Sequence, residues 1–185
     1  MHTRFLHLKI VSVILICLCL TSCAKSCTFL WHFIEAPADN YVDEAIEKYN
    51  ENKAVFSSLI ESLSDVQSLL VVSAEGDKYI NHRETMTVQR EIGSLIIQTH
   101  FTYPAETYQE LAAECQTFFD HIDAEAIIYH RDDGIYEIIY HGSAVAAVSY
   151  LYSPEGQPPD VEAYYIEKLT RINEYWFVAI FESTI

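Results

Sequence analysis

The sequence has few basic residues and few residues that break regular structure. Its 185 residues include 11 Lys and Arg against 27 Asp and Glu, with only five Gly and five Pro. Binding to nucleic acid or to anionic lipid surfaces depends on clustered basic side chains, which this chain lacks. A disordered chain is also excluded, because half of the residues are hydrophobic. We therefore expect an acidic, packed protein that does not bind nucleic acid.

Sequence motifs of the common enzyme classes are missing as well. The chain contains no G-x-S-x-G, no Gly-rich phosphate loop, no H-E-x-x-H and no paired C-x-x-C. Scattered Ser, His and carboxylate residues could still meet in space, but no motif singles any of them out. The sequence therefore favours a non-enzymatic protein without a cofactor, and it identifies no catalytic residue.

The longest hydrophobic run lies near the N-terminus. Arg4 and Lys9 precede eleven residues, 10–20, of which only one is polar, and small residues follow. This is the tripartite order of a secretory signal. A membrane-spanning helix is the alternative, but only fifteen residues separate Lys9 from Lys25, whereas a span needs about 20 apolar residues. We predict a cleaved signal peptide over residues 1–22.

The end of this run, Leu20-Thr21-Ser22-Cys23, resembles the lipobox of bacterial lipoproteins. The resemblance covers only the first 23 residues. It implies cleavage before Cys23, whose thiol then carries a diacylglyceryl group, and a protein held on a membrane of the cell envelope by palmitate-type acyl chains. Two or three such chains are a stable anchor. Ala24, in place of Asp, implies by the same resemblance the outer membrane if the cell is Gram-negative.

Cleavage would leave 163 residues, the size of one ordinary domain. These keep nine basic and all 27 acidic residues, a formal charge of −18. We divide them into a lipidated tether or strand, 23–37, and a single domain, 38–185, with two small helix-on-sheet units, 38–103 and 104–185, as the alternative. The apolar segment 28–34 either forms a strand that packs on the domain or lies at the membrane interface.

The cleaved chain would hold three cysteines, Cys23, Cys27 and Cys115. If Cys23 is acylated, only Cys27 and Cys115 remain to form a disulfide. Cys115 lies in the apolar stripe of a predicted helix. We therefore interpret Cys115 as a small buried hydrophobic residue, with the disulfide as the alternative.

The pattern of apolar residues predicts an α+β fold, with two helices packed on antiparallel sheet. Steps of three and four residues predict one helix over 40–64, bent near Asn50-Glu51-Asn52, and a second helix over 105–121. The predicted strands are 68–74, 78–88, 95–103, 126–131, 135–141, 145–152, 164–172 and 175–182. The order is helix, three strands, helix and a five-strand meander.

Two predicted hairpin turns determine which residues face each other. Gly76-Asp77 predicts a turn between the first two strands, and Asp133-Gly134 is the strongest short hairpin signal in the chain. A two-residue turn at Asp133-Gly134 places His130 opposite Glu137, and strand alternation adds His141 to the same face. Imidazole and carboxylate bind zinc or copper, so this face is a candidate metal site. A solvated His–Glu pair is the alternative that we favour.

The other face of this hairpin is rich in tyrosine. Tyr129, Tyr136 and Tyr140 are expected there, and in the last hairpin Arg171 is expected opposite Trp176. Tyr and Trp combine apolar area with a polar tip, which is typical of binding surfaces. We interpret these five residues as a candidate binding surface, with ordinary cross-strand packing as the alternative.

Three functions are compatible with these observations. The first is a lipid-anchored, non-enzymatic module that binds an envelope protein, peptide or glycan. The second is a metal-binding lipoprotein that uses His130, Glu137 and His141. The third is a small envelope hydrolase whose site forms only in three dimensions. We favour the first, because catalytic motifs are missing and the sheet carries an aromatic face.

Overall fold

The computed structural model of the protein describes residues 38–74, 76–80, 87–142 and 146–182. These ranges all belong to one compact unit, Ala38–Ile185. None of the helices in them is long and apolar enough to cross a membrane. The predicted signal peptide, the two N-terminal cysteines of the cleaved chain and the apolar segment 28–34 lie outside the described residues.

Three α-helices are described: α1, Ala38–Glu51; α2, Lys53–Ser64; and α3, Ala105–Ile122. The helix predicted over 40–64 is thus two helices that meet at Asn52, within the segment where we expected a bend. The Asn52 side-chain amide donates to the carbonyl of Lys48 at 2.9 Å. Its backbone angles, φ −118° and ψ 25°, are not helical, so the first helix ends there.

Eight described strands form one antiparallel sheet, in the order β2-β3-β1-β4-β5-β6-β8-β7. The pairing of β1 with β4 joins the N-terminal strands to the C-terminal ones. The strands are β1, Leu69–Ser73; β2, Val88–Ile92; β3, Leu95–Thr99; β4, Ala126–His130; β5, Ile135–Gly142; β6, Ala146–Tyr152; β7, Ile166–Arg171; and β8, Trp176–Glu182. The predicted mixture of helices and antiparallel sheet is confirmed.

The element order differs from the prediction between β1 and β2. Gly76–Tyr79 form a turn of 3₁₀ helix rather than a hairpin turn, so the strand predicted over 78–88 does not begin at Lys78. Residues 81–86 of that prediction lie outside the described residues, and its last residue, Val88, begins β2. Tyr79 and Ile80 instead pack on an apolar cluster of β1 and β3. These two side chains thereby cover apolar surface on this face of the sheet.

The hairpin between β4 and β5 has a longer turn than predicted. Four residues, Arg131–Gly134, connect the strands. Gly134, at φ 73°, donates its backbone N–H to the carbonyl of His130 at 2.9 Å. His130 therefore lies opposite Ile135 rather than Glu137, and the predicted register is wrong by two residues. A shift of two residues leaves every side chain on its predicted face.

The helices cover one face of the sheet, and Phe56 of α2 lies at the centre of this core. Phe56 is fully buried. Its ring contacts four other rings at centroid distances of 4.9 to 5.1 Å. They belong to Tyr49 of α1, Phe118 of α3, Tyr150 of β6 and Trp176 of β8. One side chain therefore connects all three helices with two strands.

Cys115 of α3 lies in the same core as a free thiol with no exposed surface, as expected for a small buried hydrophobic residue. Burial raises the pKa of this thiol well above its ordinary value. A thiol that stays protonated is a poor nucleophile. Cys115 therefore contributes packing rather than chemistry.

We expect Phe56→Ala to lower the free energy of unfolding by about 3–5 kcal/mol, because it leaves a cavity between four rings. Urea denaturation measures this change. Ser58→Ala, on the exposed side of the same helix, is the matched control and should change stability by less than about 0.5 kcal/mol. Equal effects of the two substitutions would contradict the central position of Phe56.

Candidate functional site

The face of the sheet away from the helices carries a cleft of about 730 Å³, which we call the open-face cleft. Two small apolar clusters flank it. One contains Leu70 and lies under the 3₁₀ turn, and the other contains Tyr164 and Phe181 and lies under the segment 161–165 that precedes β7. All three of these side chains line the cleft. The lining of the cleft comes mainly from strands, from the β4–β5 turn and from the segment 161–165.

Two polar side chains of the cleft lining, His130 and Glu137, are connected to each other and, through Glu137, to the buried Ser149. His130 Nε2 is 2.9 Å from Glu137 Oε2, and the Ser149 hydroxyl donates to Glu137 Oε1 at 2.9 Å. Glu137 is 9% exposed and Ser149 is fully buried. A buried carboxylate is costly unless it is hydrogen-bonded, so both partners stabilise Glu137. β4, β5 and β6 each supply one member of this group.

Tyr164 closes the cleft on the side of the segment 161–165. Its ring packs edge-on against the His130 imidazole, with a centroid distance of 4.9 Å and an interplanar angle of 77°. Its hydroxyl donates to the carboxylate of Asp133. Burial, and then the hydrogen bond to and charge of Asp133, raises the pKa of Tyr164 well above its ordinary value. Tyr164 therefore stays a hydrogen-bond donor and links this segment to the β4–β5 turn.

The charged groups that line the cleft are mainly acidic. Asp132, Asp133 and Glu137 are carboxylates, and Arg131 supplies one guanidinium. His100 and His130 add two imidazoles to the lining. The lining therefore offers the hydrogen-bond acceptors of three carboxylates and only one fixed positive charge, that of Arg131. It suits a ligand that brings hydrogen-bond donors.

The structure brings two of the three predicted metal-site residues together. His130 and Glu137 are in contact, whereas the side chain of His141 lies outside the part of the chain that is described. The β5–β6 pairing is irregular between Ile139 and His141. Among the described residues, no group of three or more His, Cys, Asp or Glu is arranged to hold a metal ion.

The five residues predicted as a binding surface do not form one surface. Tyr136, Tyr140 and Trp176 are 9%, 7% and 5% exposed and lie in the core under the helices, and Tyr129 is partly buried beside them. The helices cover the tyrosine face because its hydroxyls find partners there. The hydroxyl of Tyr140, for example, donates to Glu44 of α1 at 2.6 Å.

Arg171, the fifth of these residues, lies opposite Phe177 instead of Trp176. Its guanidinium lies over the Phe177 ring, 4.9 Å from the centroid. The cause is the β7–β8 turn, in which the side-chain oxygen of Asn173 accepts the backbone N–H groups of Tyr175 and Trp176 at 2.9 and 3.0 Å. The turn is one residue longer than predicted, and a one-residue change moves Arg171 to the other face.

Sequence reasoning missed Ser149, Tyr164 and Asp133 as members of the site. Ser149 follows strand alternation in β6, but its contact with Glu137 depends on the β5–β6 register, for which the sequence has no short turn signal. Tyr164 lies about thirty residues from His130 in the chain, and only the fold brings the two rings together. Asp133 belongs to the hairpin signal that the sequence analysis treated as a turn alone.

No protein-family model matches this chain, and neither a curated protein nor a solved structure was found to match it. An assignment of function therefore has to come from the geometry of the cleft and the chemistry of its lining.

We expect Tyr136 to ionise only in strongly alkaline solution. Burial, followed by the charges of Tyr129 and Tyr152, raises its pKa from 10.0 to about 12. The folded state favours the neutral phenol. The contribution of Tyr136 to the free energy of unfolding is therefore fully present below pH 10 and is lost as the pH rises through about 12. Tyrosinate absorbance of the wild type minus that of Tyr136→Phe measures the titration. A midpoint near 10 would place Tyr136 on an exposed surface instead.

Proposed function

We propose that this chain is a lipid-anchored binding module of a bacterial cell envelope. Acylated Cys23 would hold it on the membrane, the outer membrane in a Gram-negative cell. Residues 38–185 would bind a polar segment of an envelope peptide or glycan. The observation that carries the proposal is the open-face cleft, in which the hydrogen-bonded pair of His130 and Glu137 forms the base.

The acceptors in the cleft support a ligand with hydroxyl or amine donors. An ionised carboxylate has about four acceptor positions, and Glu137 uses one oxygen for His130 and the other for Ser149. The Glu137 side chain keeps 11% of its surface exposed, and that of His130 keeps 29%. A ligand in the cleft can therefore reach both groups while their protein partners hold them in place.

The order of the three polar groups supports binding rather than hydrolysis. In a serine nucleophile site, an imidazole accepts the proton of an accessible hydroxyl. Here the carboxylate of Glu137 lies between the hydroxyl and the imidazole, and the Ser149 hydroxyl is fully buried. Ser149 therefore orients Glu137, and the ligand would contact His130 and Glu137 by hydrogen bonds.

The position of α1 is compatible with a tether. The described chain starts with α1, which packs on the helix-covered face, and the cleft opens on the other face. The fifteen residues 23–37 would separate the lipid from α1. Fully extended, they would reach roughly 50 Å.

Binding of soluble bacterial cell-wall fragments, which contain both glycan and short peptides, tests whether the open-face cleft takes ligands of this class. We expect the protein to bind them, and Glu137→Gln to raise the Kd at least about tenfold, because it removes a charged acceptor and keeps the shape of the side chain. Isothermal titration calorimetry measures the affinity. Glu91→Gln, an exposed position on β2 away from the cleft, is the matched control.

Unchanged affinity of Glu137→Gln would contradict binding in this cleft, provided that urea denaturation shows it to be folded. A wild-type protein that binds none of the fragments would contradict the ligand class.

The anchor is tested by the intact mass of the protein purified from bacterial membranes. We expect a chain that starts at Cys23 and carries added acyl mass, because the lipobox resemblance implies both steps. Cys23→Ala should lose the acyl mass, and Cys27→Ala, the matched control, should keep it. An unprocessed wild-type chain without acyl groups would show that residues 1–22 are not a lipoprotein signal.

A further inference from the structure

A second cleft, of about 490 Å³, lies where the junction of α1 and α2 faces the end of β6 and the β7–β8 turn. We call it the aromatic groove. It shares no lining residue with the open-face cleft. Its lining residues are Tyr49, Ser57, Ile60, Tyr152, Asn173, Glu174, Tyr175 and Trp176. Neither the anchor nor the proposed binding of a peptide or glycan uses these residues.

Four aromatic rings follow one another along this groove. The ring of Tyr49 lies 5.6 Å from that of Trp176, Trp176 lies 4.9 Å from Tyr152, and Tyr152 lies 6.3 Å from Tyr175. Successive rings are tilted by 50°, 51° and 43°, so together they do not form a flat surface. The faces of such rings carry partial negative charge and attract cations.

The rings are held in place before any ligand arrives. The Asn173 side chain donates to the Tyr49 hydroxyl at 2.6 Å and accepts the backbone N–H groups of Tyr175 and Trp176. It thereby ties the β7–β8 turn to α1. Trp176 is fixed further by its contact with Phe56 in the core. A preorganised site loses less conformational entropy when it binds.

The charge of the groove is negative. Glu174 is exposed and lines it, and its lining residues include no Lys or Arg. At other rings the protein places its own cation on the aromatic face: Lys48 lies over Tyr140, and Arg171 over Phe177. The rings of the aromatic groove receive no such cation from among its lining residues.

We propose that the aromatic groove binds a small quaternary ammonium cation, with its methyl groups against the accessible rings of Tyr152 and Tyr175 and its charge near Glu174. A trimethylammonium group is weakly hydrated and needs no hydrogen-bond acceptor, so rings and one carboxylate suffice to hold it. The volume of the groove lies in the range of small-molecule sites. The formal charge of the chain, −16, concentrates cations near its surface.

Choline and its uncharged carbon analogue, dimethylbutanol, test this proposal on the full chain in detergent. The sequence has two tryptophans, so Trp31→Phe leaves Trp176 as the fluorescent reporter inside the groove. We expect a saturable change with choline, and affinity for dimethylbutanol at least about fivefold weaker, because it has the same shape without the charge. Equal affinity for the two compounds, or no saturation with choline, would overturn the proposal.

Variants of the exposed rim show whether binding occurs in this groove. Tyr175, 40% exposed, tolerates substitution more readily than the buried rings. Tyr175→Leu should weaken choline binding about fivefold, and Tyr175→Phe should preserve it, because the ring and not the hydroxyl attracts the cation. Glu174→Gln should weaken binding about threefold, and Glu155→Gln, outside the groove, should not.

Wild-type affinity in Tyr175→Leu would overturn the assignment to this groove. Glu137→Gln, in the other cleft, should bind choline like the wild type, which separates this site from the proposed peptide or glycan site. Loss of choline binding in Glu137→Gln would place the cation in the open-face cleft and overturn the proposal.

Discussion

The contact of Phe56 with four other rings is the interaction on which the rest of the structure depends. α1 and α2 are separate helices because Asn52 interrupts them, and the contact between the rings of Tyr49 and Phe56 joins the two helices across this break. Each aromatic pair contributes about 0.5–1.5 kcal/mol beyond the burial of its area. Trp176 belongs both to this centre and to the aromatic groove. The geometry of the groove therefore depends on the packing of the core.

The alternation of β5 explains why its tyrosines lie in the core while Glu137 faces the open-face cleft. Tyr136 and Tyr140 face the helices, where their hydroxyls find acceptors in Leu63 and Glu44. Glu137, between them in the strand, necessarily points to the other face. The carboxylate of Glu137, the imidazole of His130 and the hydroxyl of Ser149 thus lie on the open face, among its apolar clusters.

Much of the fold could be predicted because apolar periodicity is a local property. The helices and most strands follow it, whereas turn length depends on hydrogen bonds that the periodicity does not contain. The extra residues of the β4–β5 turn shifted the register by two, so the predicted proximity of His130 and Glu137 survived. The β7–β8 turn shifted it by one, so Arg171 met Phe177 and the predicted pairing with Trp176 failed. A register error of two residues kept the side chains on their predicted faces, whereas an error of one residue did not, and this difference decided which site residues could be found.

The sequence could not predict which face of the sheet the helices cover, because both faces of β5 carry large apolar residues. Ile135 and Ile139 lie on the open face, and Ile138 lies on the covered one. Glu137 is the exception on this face of β5, and a carboxyl group at 9% exposure does not improve packing. Replacement of buried polar groups by apolar ones of similar volume is often neutral or stabilising. Glu137 is instead held by two hydrogen-bond partners, His130 and Ser149, which fix the direction in which its carboxyl group points into the cleft.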